Sequence, residues 1–317
     1  MLGRMNLTKN SKIAVTSRSF SKSEFLRNRL LEVFPNVVFN DKGTSLRGQE
    51  LISFLSGSDA AIIALEPVDA KLISSLPNLK FISKYGVGLD AIDISAMQAA
   101  KIELLTSPGI NSYSVAELAL ASTISLVHLV PQHETELLNG VWRQEKGREF
   151  RGKTVGVIGC GSVGREFLRL SSFFDTKLMS FDLNPDTKFY ESLNVQGASI
   201  ELIFSSCDVI SIHLPLTRDT NGLINSKFFD LMKPNGIFIN YSRGGVVNEN
   251  DLYDFLVANQ FAGAAVDVFE QEPPGSLGLL DLANVIATPH IGGSTEESIL
   301  AMGQAAIDQL VRKIDKN

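Results

Sequence analysis

The sequence has 317 residues, about twice the length of a typical domain, so two domains are expected. With 44% hydrophobic and 20% charged residues it is a core-forming chain and not a disordered one. A formal net charge of -6 without a basic run argues against nucleic acid or an anionic membrane as the main partner, and two cysteines, Cys160 and Cys207, are too few for a disulfide framework or a cysteine-rich zinc site.

The first ten residues are polar and lack the apolar stretch of a signal peptide. In chain order, apolar runs at 13–15, 37–39, 60–65, 79–83 and 102–105 read as strands, with amphipathic helical stretches at 23–33 and 46–55. Glu66-Pro67 ends the third strand, and the fourth closes on a glycine turn, Gly86-Val87-Gly88. Residues 111–130 read as one long helix, apolar on nearly all sides, with Ser114 and Glu117 suited to its first turn. Such a helix is expected to be buried between two domains. Glu117, Ser122, Thr123, Ser125 and His128 interrupt its apolar run, so no membrane span is expected.

A second series of strands follows at 154–158, 177–181, 209–213, 236–240, 263–268 and 284–287, with helices at 163–173, 226–232 and 250–259. A last helical stretch, 296–314, is free to return to the first domain. Alternating strands and helices predict two doubly wound parallel-sheet α/β domains with a ligand cleft between them.

Gly159-Cys160-Gly161-Ser162-Val163-Gly164 directly follows a strand and opens a helix, the context in which G-x-G-x-x-G signals a dinucleotide-binding Rossmann domain. Gly159 permits the tight turn, Gly161 lets the backbone approach a pyrophosphate, and Gly164 lets the helix pack close to the sheet. The helix N-terminus offers unpaired N–H groups to the phosphates. Asp182 ends the next strand, where a carboxylate accepts hydrogen bonds from ribose hydroxyls and repels a 2′-phosphate, so NAD is expected over NADP.

Three later strand ends carry complementary polar groups in Ser242-Arg243-Gly244-Gly245, Glu270-Gln271-Glu272-Pro273 and Thr288-Pro289-His290-Ile291-Gly292-Gly293. Reduction of a carbonyl next to a carboxylate needs a hydride donor, a proton donor and a cation. Nicotinamide supplies the first. His290 suits the second, with Glu272 to orient it, and Arg243 suits the third because its planar fork binds both carboxylate oxygens. His128 and His133 have no partners at metal-ligand spacing, and no metal site is expected. Cys160 reads as a loop filler, and Trp142 as a residue of a domain or subunit contact.

With these residues goes a resemblance over nearly the whole chain. Lys84-Tyr85-Gly86-Val87-Gly88-Leu89-Asp90, Ser114-Val115-Ala116-Glu117-Leu118, Trp142, the Gly159 loop, His213-Leu214-Pro215-Leu216-Thr217, the Ser242-Arg243 segment, Glu272-Pro273-Pro274 and the His290 segment resemble, in order and spacing, the D-isomer-specific 2-hydroxyacid dehydrogenases, in the style of the short phosphoglycerate dehydrogenases. The resemblance implies a substrate domain of flavodoxin-like form from residues 1–108 and 293–317, and an NAD-binding Rossmann domain from 109–292. It implies Arg243 as the carboxylate anchor, shared with the N–H groups of Val87 and Gly88, His290 as acid/base and Glu272 as its partner. It implies cofactor contacts from Gly159, Gly161, Ser162, Val163, Gly164, Asp182, His213, Leu214, Pro215, Tyr241, Ser242, Asp267, Gly292 and Gly293, with Asp267 on the nicotinamide carboxamide. A cytoplasmic homodimer acting on a small 2-hydroxy or 2-keto acid is the expected whole.

Three departures shape the expectation. The stretch after the third strand, Ala64-Leu65-Glu66-Pro67, carries no cation where relatives acting on phosphoglycerate can hold the phosphate. Glyoxylate or hydroxypyruvate reduction is therefore the alternative, and a non-enzymatic NAD(H)-sensing regulator is the rival from another class. Tyr241 stands where a small residue is usual and is expected to crowd the cofactor. The sequence stops at Asn317, so a C-terminal regulatory domain is not expected.

Overall fold

The computed structural model describes residues 6–276 and 278–314. The chain divides into two compact units, Met1–Asn111 with Ser294–Asn317, and Ser112–Gly293. Residues 1–5 and 315–317, at the outer ends of the expected substrate domain, lie outside the described residues.

The first unit is built on five parallel strands, β1 (Ile13–Val15), β2 (Val37–Phe39), β3 (Ala60–Ile63), β4 (Phe81–Lys84) and β5 (Glu103–Leu105), in the order β2-β1-β3-β4-β5. Side chains alternate across the sheet, so Ile13, Val15, Ile62 and Phe81 enter one core and Ala14, Ala61, Ile63 and Ile82 the other. Both faces are covered, which is why these strands read as unbroken apolar runs. The first core is closed by the helix Glu296–Val311 through Met302, Ala306, Ile307 and Leu310. Each fully buried large apolar side chain contributes about 1.5–3 kcal/mol. The strand order reverses between β1 and β3, so a ligand crevice is expected beyond their carboxyl ends.

The second unit holds seven parallel strands, β6 (Thr154–Ile158), β7 (Lys177–Phe181), β8 (Gln196–Gly197), β9 (Val209–Ile212), β10 (Ile237–Asn240), β11 (Gly263–Val266) and β12 (Val285–Ala287). Their order is β12-β11-β10-β9-β6-β7-β8, with the reversal between β6 and β9. One face packs Ile158, Ile210, Ile212 and Phe238 under the helix Glu249–Ala258, and the other packs Val155, Val157, Val209 and Ile239 under the helices Ser112–Val127 and Ser162–Ser172.

The long helix expected at 111–130 forms but stops at Val127, and a second helix that was not expected follows it. Ser112–Val127 ends, Leu129 turns left-handed at φ 59°, and Val130–Leu138 leaves at 64°. Pro131 causes the break, because proline has no N–H to donate and its ring clashes with the carbonyl four residues back, that of Val127. That carbonyl accepts the N–H of Arg148 at 2.7 Å instead. Ser114 lies inside the helix and does not cap it; its hydroxyl donates to the carbonyl of Gly292 at 2.5 Å. Short helices at Arg18–Lys22, Thr187–Leu193 and Ile200–Ser206 were not legible from periodicity, each being too short to show a repeat. Among the described residues no single helix is long and apolar enough to cross a membrane.

Candidate functional site

In the second unit the carboxyl ends of β6, β7, β9, β10, β11 and β12 carry the residues singled out by sequence. At β6 the chain turns through Gly159 at φ +96°, a conformation that favours glycine. A Cβ there would lie 2.5 Å from the carbonyl oxygen of His213, across the strand-order reversal. Gly164 has no room either, because a Cβ would meet the carbonyl of Gly159. Gly161 faces open space, with nothing within 4 Å of the position a Cβ would take. It caps the helix Ser162–Ser172 without a side-chain hydrogen bond, leaving the first-turn N–H groups of Ser162 and Val163 available. An open backbone, uncapped donors and a positive helix end together suit the pyrophosphate of a dinucleotide.

Asp182, just past β7, braces this loop. One oxygen accepts the Cys160 N–H at 2.7 Å and the other accepts the Asn184 N–H at 2.8 Å. Each carboxylate oxygen keeps a lone pair for a ribose hydroxyl. Arg165, which the sequence did not single out, holds the loop from the helix side, with Nε donating to the Cys160 carbonyl at 3.1 Å and Nη1 pairing with Asp186 at 2.9 Å. The His213 ring lies 5.8 Å from Phe167 and its Nε2 is 2.9 Å from the Ser211 hydroxyl. Burial pushes its pKa down to about 3, so it stays neutral and offers the loop a backbone wall and not a charge. Leu214 follows against Gly159, and Pro215 is exposed.

At β10 the buried Asn240 shapes the next loop. Its side-chain oxygen accepts from the Ser242 N–H and hydroxyl at 3.2 and 2.8 Å, and its amide donates to the Arg243 carbonyl at 3.0 Å. Arg243 Nη1 donates to the Ser242 carbonyl at 2.6 Å. Gly244 packs its α-carbon against the backbone of Phe269 and Glu270, where no Cβ fits. The phenol of Tyr241 turns the other way. It is 5% exposed and its hydroxyl lies 2.7 Å from that of Ser122, so the expected crowding of the cofactor by this side chain is corrected: it belongs to the core. Strand alternation places it there, opposite in direction to Ser242.

Asp267, beyond β11, is 2% exposed and organises the last loop. One oxygen accepts the Thr288 hydroxyl at 2.6 Å and the Ile291 N–H at 2.7 Å, and the other accepts the Gly292 N–H at 2.7 Å. Gly292 is packed so closely that a Cβ would lie 3.0 Å from the same carboxylate, and Gly293 ends the unit. The turn holds His290 in the left-handed region at φ +55°. There its Nδ1 lies 2.8 Å from Oε2 of Glu272, whose Oε1 accepts the Phe269 N–H at 3.2 Å. A carboxylate only accepts, so Nδ1 carries a proton and Nε2 is left to exchange one.

The pair shifts both partners. The Glu272 hydrogen bond, reinforced by its charge and that of Asp267, raises His290 above its ordinary 6.5 against the opposing effect of burial. For Glu272 burial acts upward, but the His290 hydrogen bond and charge, the Phe269 N–H and the Arg243 charge outweigh it and hold the carboxyl below 4.5. The stability His290 contributes is therefore full below pH 6.5 and lost as pH rises through its raised pKa, while that of Glu272 is present above 4.5 and lost as pH falls through its lowered one. Both side chains are about two-fifths exposed, 40% and 39%, so solvent keeps the stability effect small. The effect on proton transfer is larger. Carbonyl reduction should persist to a pH above 6.5 and fall as His290 deprotonates, and Glu272→Gln should move that alkaline limb back toward 6.5. A pH profile of kcat/KM for both forms checks this, and an unmoved limb would remove Glu272 from the role.

Val87 and Gly88 lie in the first unit, in the turn that follows β4, with Gly86 at φ +109°. Beside this turn is a cation that the sequence did not advertise. Lys84, the last residue of β4, is buried and donates from Nζ to the carbonyl of Ala64.

A family model described as D-isomer specific 2-hydroxyacid dehydrogenase, NAD binding domain, matches residues 120–292. The chain is 36% identical over 292 residues to a D-3-phosphoglycerate dehydrogenase of Archaeoglobus fulgidus, covering 91% of this chain and 54% of that protein. It spans only about half the length of that curated relative. It is 34% identical over 276 residues to a hydroxypyruvate reductase of Thermotoga maritima, covering 85% of this chain and 89% of the relative. A crystal structure of a phosphoglycerate oxidoreductase from Vibrio cholerae superposes with a TM-score of 0.79 at 28% identity, covering 95% of this chain and 98% of that one.

Proposed function

The chain belongs to the D-isomer-specific 2-hydroxyacid dehydrogenases, oxidoreductases whose NAD-binding domain here occupies residues 120–292, and from that premise we propose that it interconverts a small 2-keto acid and its 2-hydroxy acid. The observation that carries the reading is the Glu272–His290 pair at 2.8 Å, in the same unit as an open, uncapped glycine loop. NADH, when bound, supplies the hydride that arrives at C2. Arg243 holds the substrate carboxylate through the planar fork of its guanidinium, which fixes the carbonyl in place. His290 gives the proton on Nε2 to the C2 oxygen, and Glu272 stabilises the imidazolium before that transfer. Oxidation runs in reverse, with neutral His290 taking the hydroxyl proton. Asp267 keeps the 288–292 turn in shape and presents its charge to the nicotinamide carboxamide. In this division of labour residues 1–108 and 293–317 form the substrate domain.

A second copy of the chain is the proposed partner. Leu137, Leu138, Val141 and Trp142 form a run of apolar residues 58%, 81%, 42% and 81% exposed, more than a solvated surface ordinarily carries in one place. Sedimentation equilibrium should give a dimer, and a monomer at micromolar concentration would remove this part. Cys160 and Cys207 are free and buried, which supports a reducing, cytoplasmic setting.

The deciding experiment follows NADH absorbance with glyoxylate, pyruvate, hydroxypyruvate, 3-phosphohydroxypyruvate and 2-ketoglutarate, with NADPH as the contrast. Turnover with NADH of at least one acid is expected. NADH binding without turnover of any of them would overturn the enzymatic reading.

A further inference from the structure

Glu272 can orient His290 only if the loop that carries it is held, and a second carboxylate grips that loop. Glu249 opens the helix Glu249–Ala258. Asn248 caps this helix, its side-chain oxygen accepting the Asn250 and Asp251 N–H groups at 3.0 and 3.1 Å. With those first-turn donors satisfied, Glu249 is spared for a contact outside the helix. Its Oε1 accepts the N–H of Glu270 at 2.7 Å. The preceding N–H, that of Phe269, donates to Glu272 Oε1 at 3.2 Å. Consecutive N–H groups are thus taken by two carboxylates, one of which also bonds His290. Gly244, the residue after Arg243, closes on the same Phe269–Glu270 peptide, where a Cβ would collide with the Phe269 carbonyl and the Glu270 nitrogen.

We propose that Glu249 is a positioning residue for proton transfer, one that sets the reach of Glu272 to His290 by holding the Glu270 N–H. The inference rests on the 2-keto acid reading above and deepens it. Glu272 lies only two residues beyond Glu270, so slack at that N–H passes to the carboxylate that bonds the imidazole. A hydrogen bond to an ionised carboxylate is about twice as strong as one between neutral groups, which suits Glu249 to the task. The other charged groups that face the Glu272–His290 pair are Asp267 and Arg243, and the one that faces Glu249 is Glu270.

The test follows the pH titration of His290 by NMR of its ring nitrogens in the wild type, Glu249→Ala, Glu249→Asp and Glu249→Gln. The signal is assigned by its loss in His290→Ala. In Glu249→Ala, and in Glu249→Asp, whose carboxylate falls short by one methylene, the midpoint should drop toward 6.5 as Glu272 loosens from the imidazole. For reduction of the acid that the wild type turns over best, kcat should fall about 5- to 30-fold in both. That is below the roughly 100-fold cost of a displacement of about 1 Å, because water takes up part of the lost contact. NADH affinity should stay near that of the wild type. Glu249→Gln, still an acceptor, should recover most of the midpoint and of kcat. An unmoved midpoint in both Glu249→Ala and Glu249→Asp overturns the proposal, and so does a Glu249→Gln variant as impaired as Glu249→Ala. The aspartate variant keeps the charge at the helix start, so it decides alone if the alanine variant does not fold. Should the wild type bind NADH and turn over nothing, the enzymatic reading fails separately, and the His290 midpoints still decide for Glu249.

Discussion

Replacing His290 with alanine should lower kcat by about 10²–10⁴, the range for loss of a positioned general acid, and leave NADH binding close to that of the wild type. The separation follows from where the residue sits. The turn around His290 is held by Asp267 through Thr288, Ile291 and Gly292, none of which needs the imidazole. The glycine loop that receives the pyrophosphate is braced by Asp182 and Arg165. Alanine at a left-handed φ of +55° gains no relief from strain, so the fold of the turn is not improved by the change. Steady-state kcat at saturating acid, with an NADH fluorescence titration on the same variant, reads the two effects. A kcat within about threefold of wild type would end the general-acid assignment.

Arg243→Ala should lower kcat/KM by about 10²–10⁴, the worth of two charge-assisted hydrogen bonds to a carboxylate at about 1.5–3 kcal/mol each. Arg243→Lys should recover only part, because a point charge cannot reproduce the planar fork. The loss should also depend on the substrate's carboxylate, so the variant should discriminate poorly between a 2-keto acid and its methyl ester. Arg243→Ala removes the guanidinium's bond to the Ser242 carbonyl but leaves the Asn240 contacts to the Ser242 N–H and hydroxyl and to the Arg243 carbonyl, so the loop should survive the change. Retained NADH affinity checks this, and an undiminished kcat/KM would sink the anchor role.

The strands and the glycine loop were legible because their causes are local. Apolar runs of four or five residues, a glycine turn and an acid at the end of the next strand are all written within short stretches of sequence. Other features depend on what lies far away in the chain. The helix expected at 111–130 ends three residues early, at Val127, and the second helix Val130–Leu138 went unread because the stretch after Pro131, Gln132-His133-Glu134-Thr135-Glu136, is too polar and too short to show an apolar repeat. Lys84 reads as an ordinary strand end until the β3–β4 pairing brings it to Ala64. Tyr241 follows an apolar strand and precedes the Ser-Arg pair; only strand alternation and the hydroxyl of Ser122, contributed by a helix more than a hundred positions earlier, send it inward. Asn240 carried a usable signal, a polar residue closing an apolar strand, that pointed to loop shaping. The proximity of Glu272 and His290 was suggested by chemistry, and the geometry supplies the hydrogen bond.

The first unit is assembled from both ends of the chain, and this bears on how the protein is made. Its helix Glu296–Val311 covers Phe20, Leu26 and Phe81, and the Ala306 carbonyl accepts the hydroxyl of Ser83 at 2.9 Å. During synthesis that helix emerges only after every residue of the second unit. The early strands must wait with one apolar face uncovered while the second unit is already free to fold. Substitutions that weaken the late helix should therefore reduce yield more than they reduce the stability of purified protein, since their cost falls on a nascent chain that is vulnerable to aggregation and to proteases.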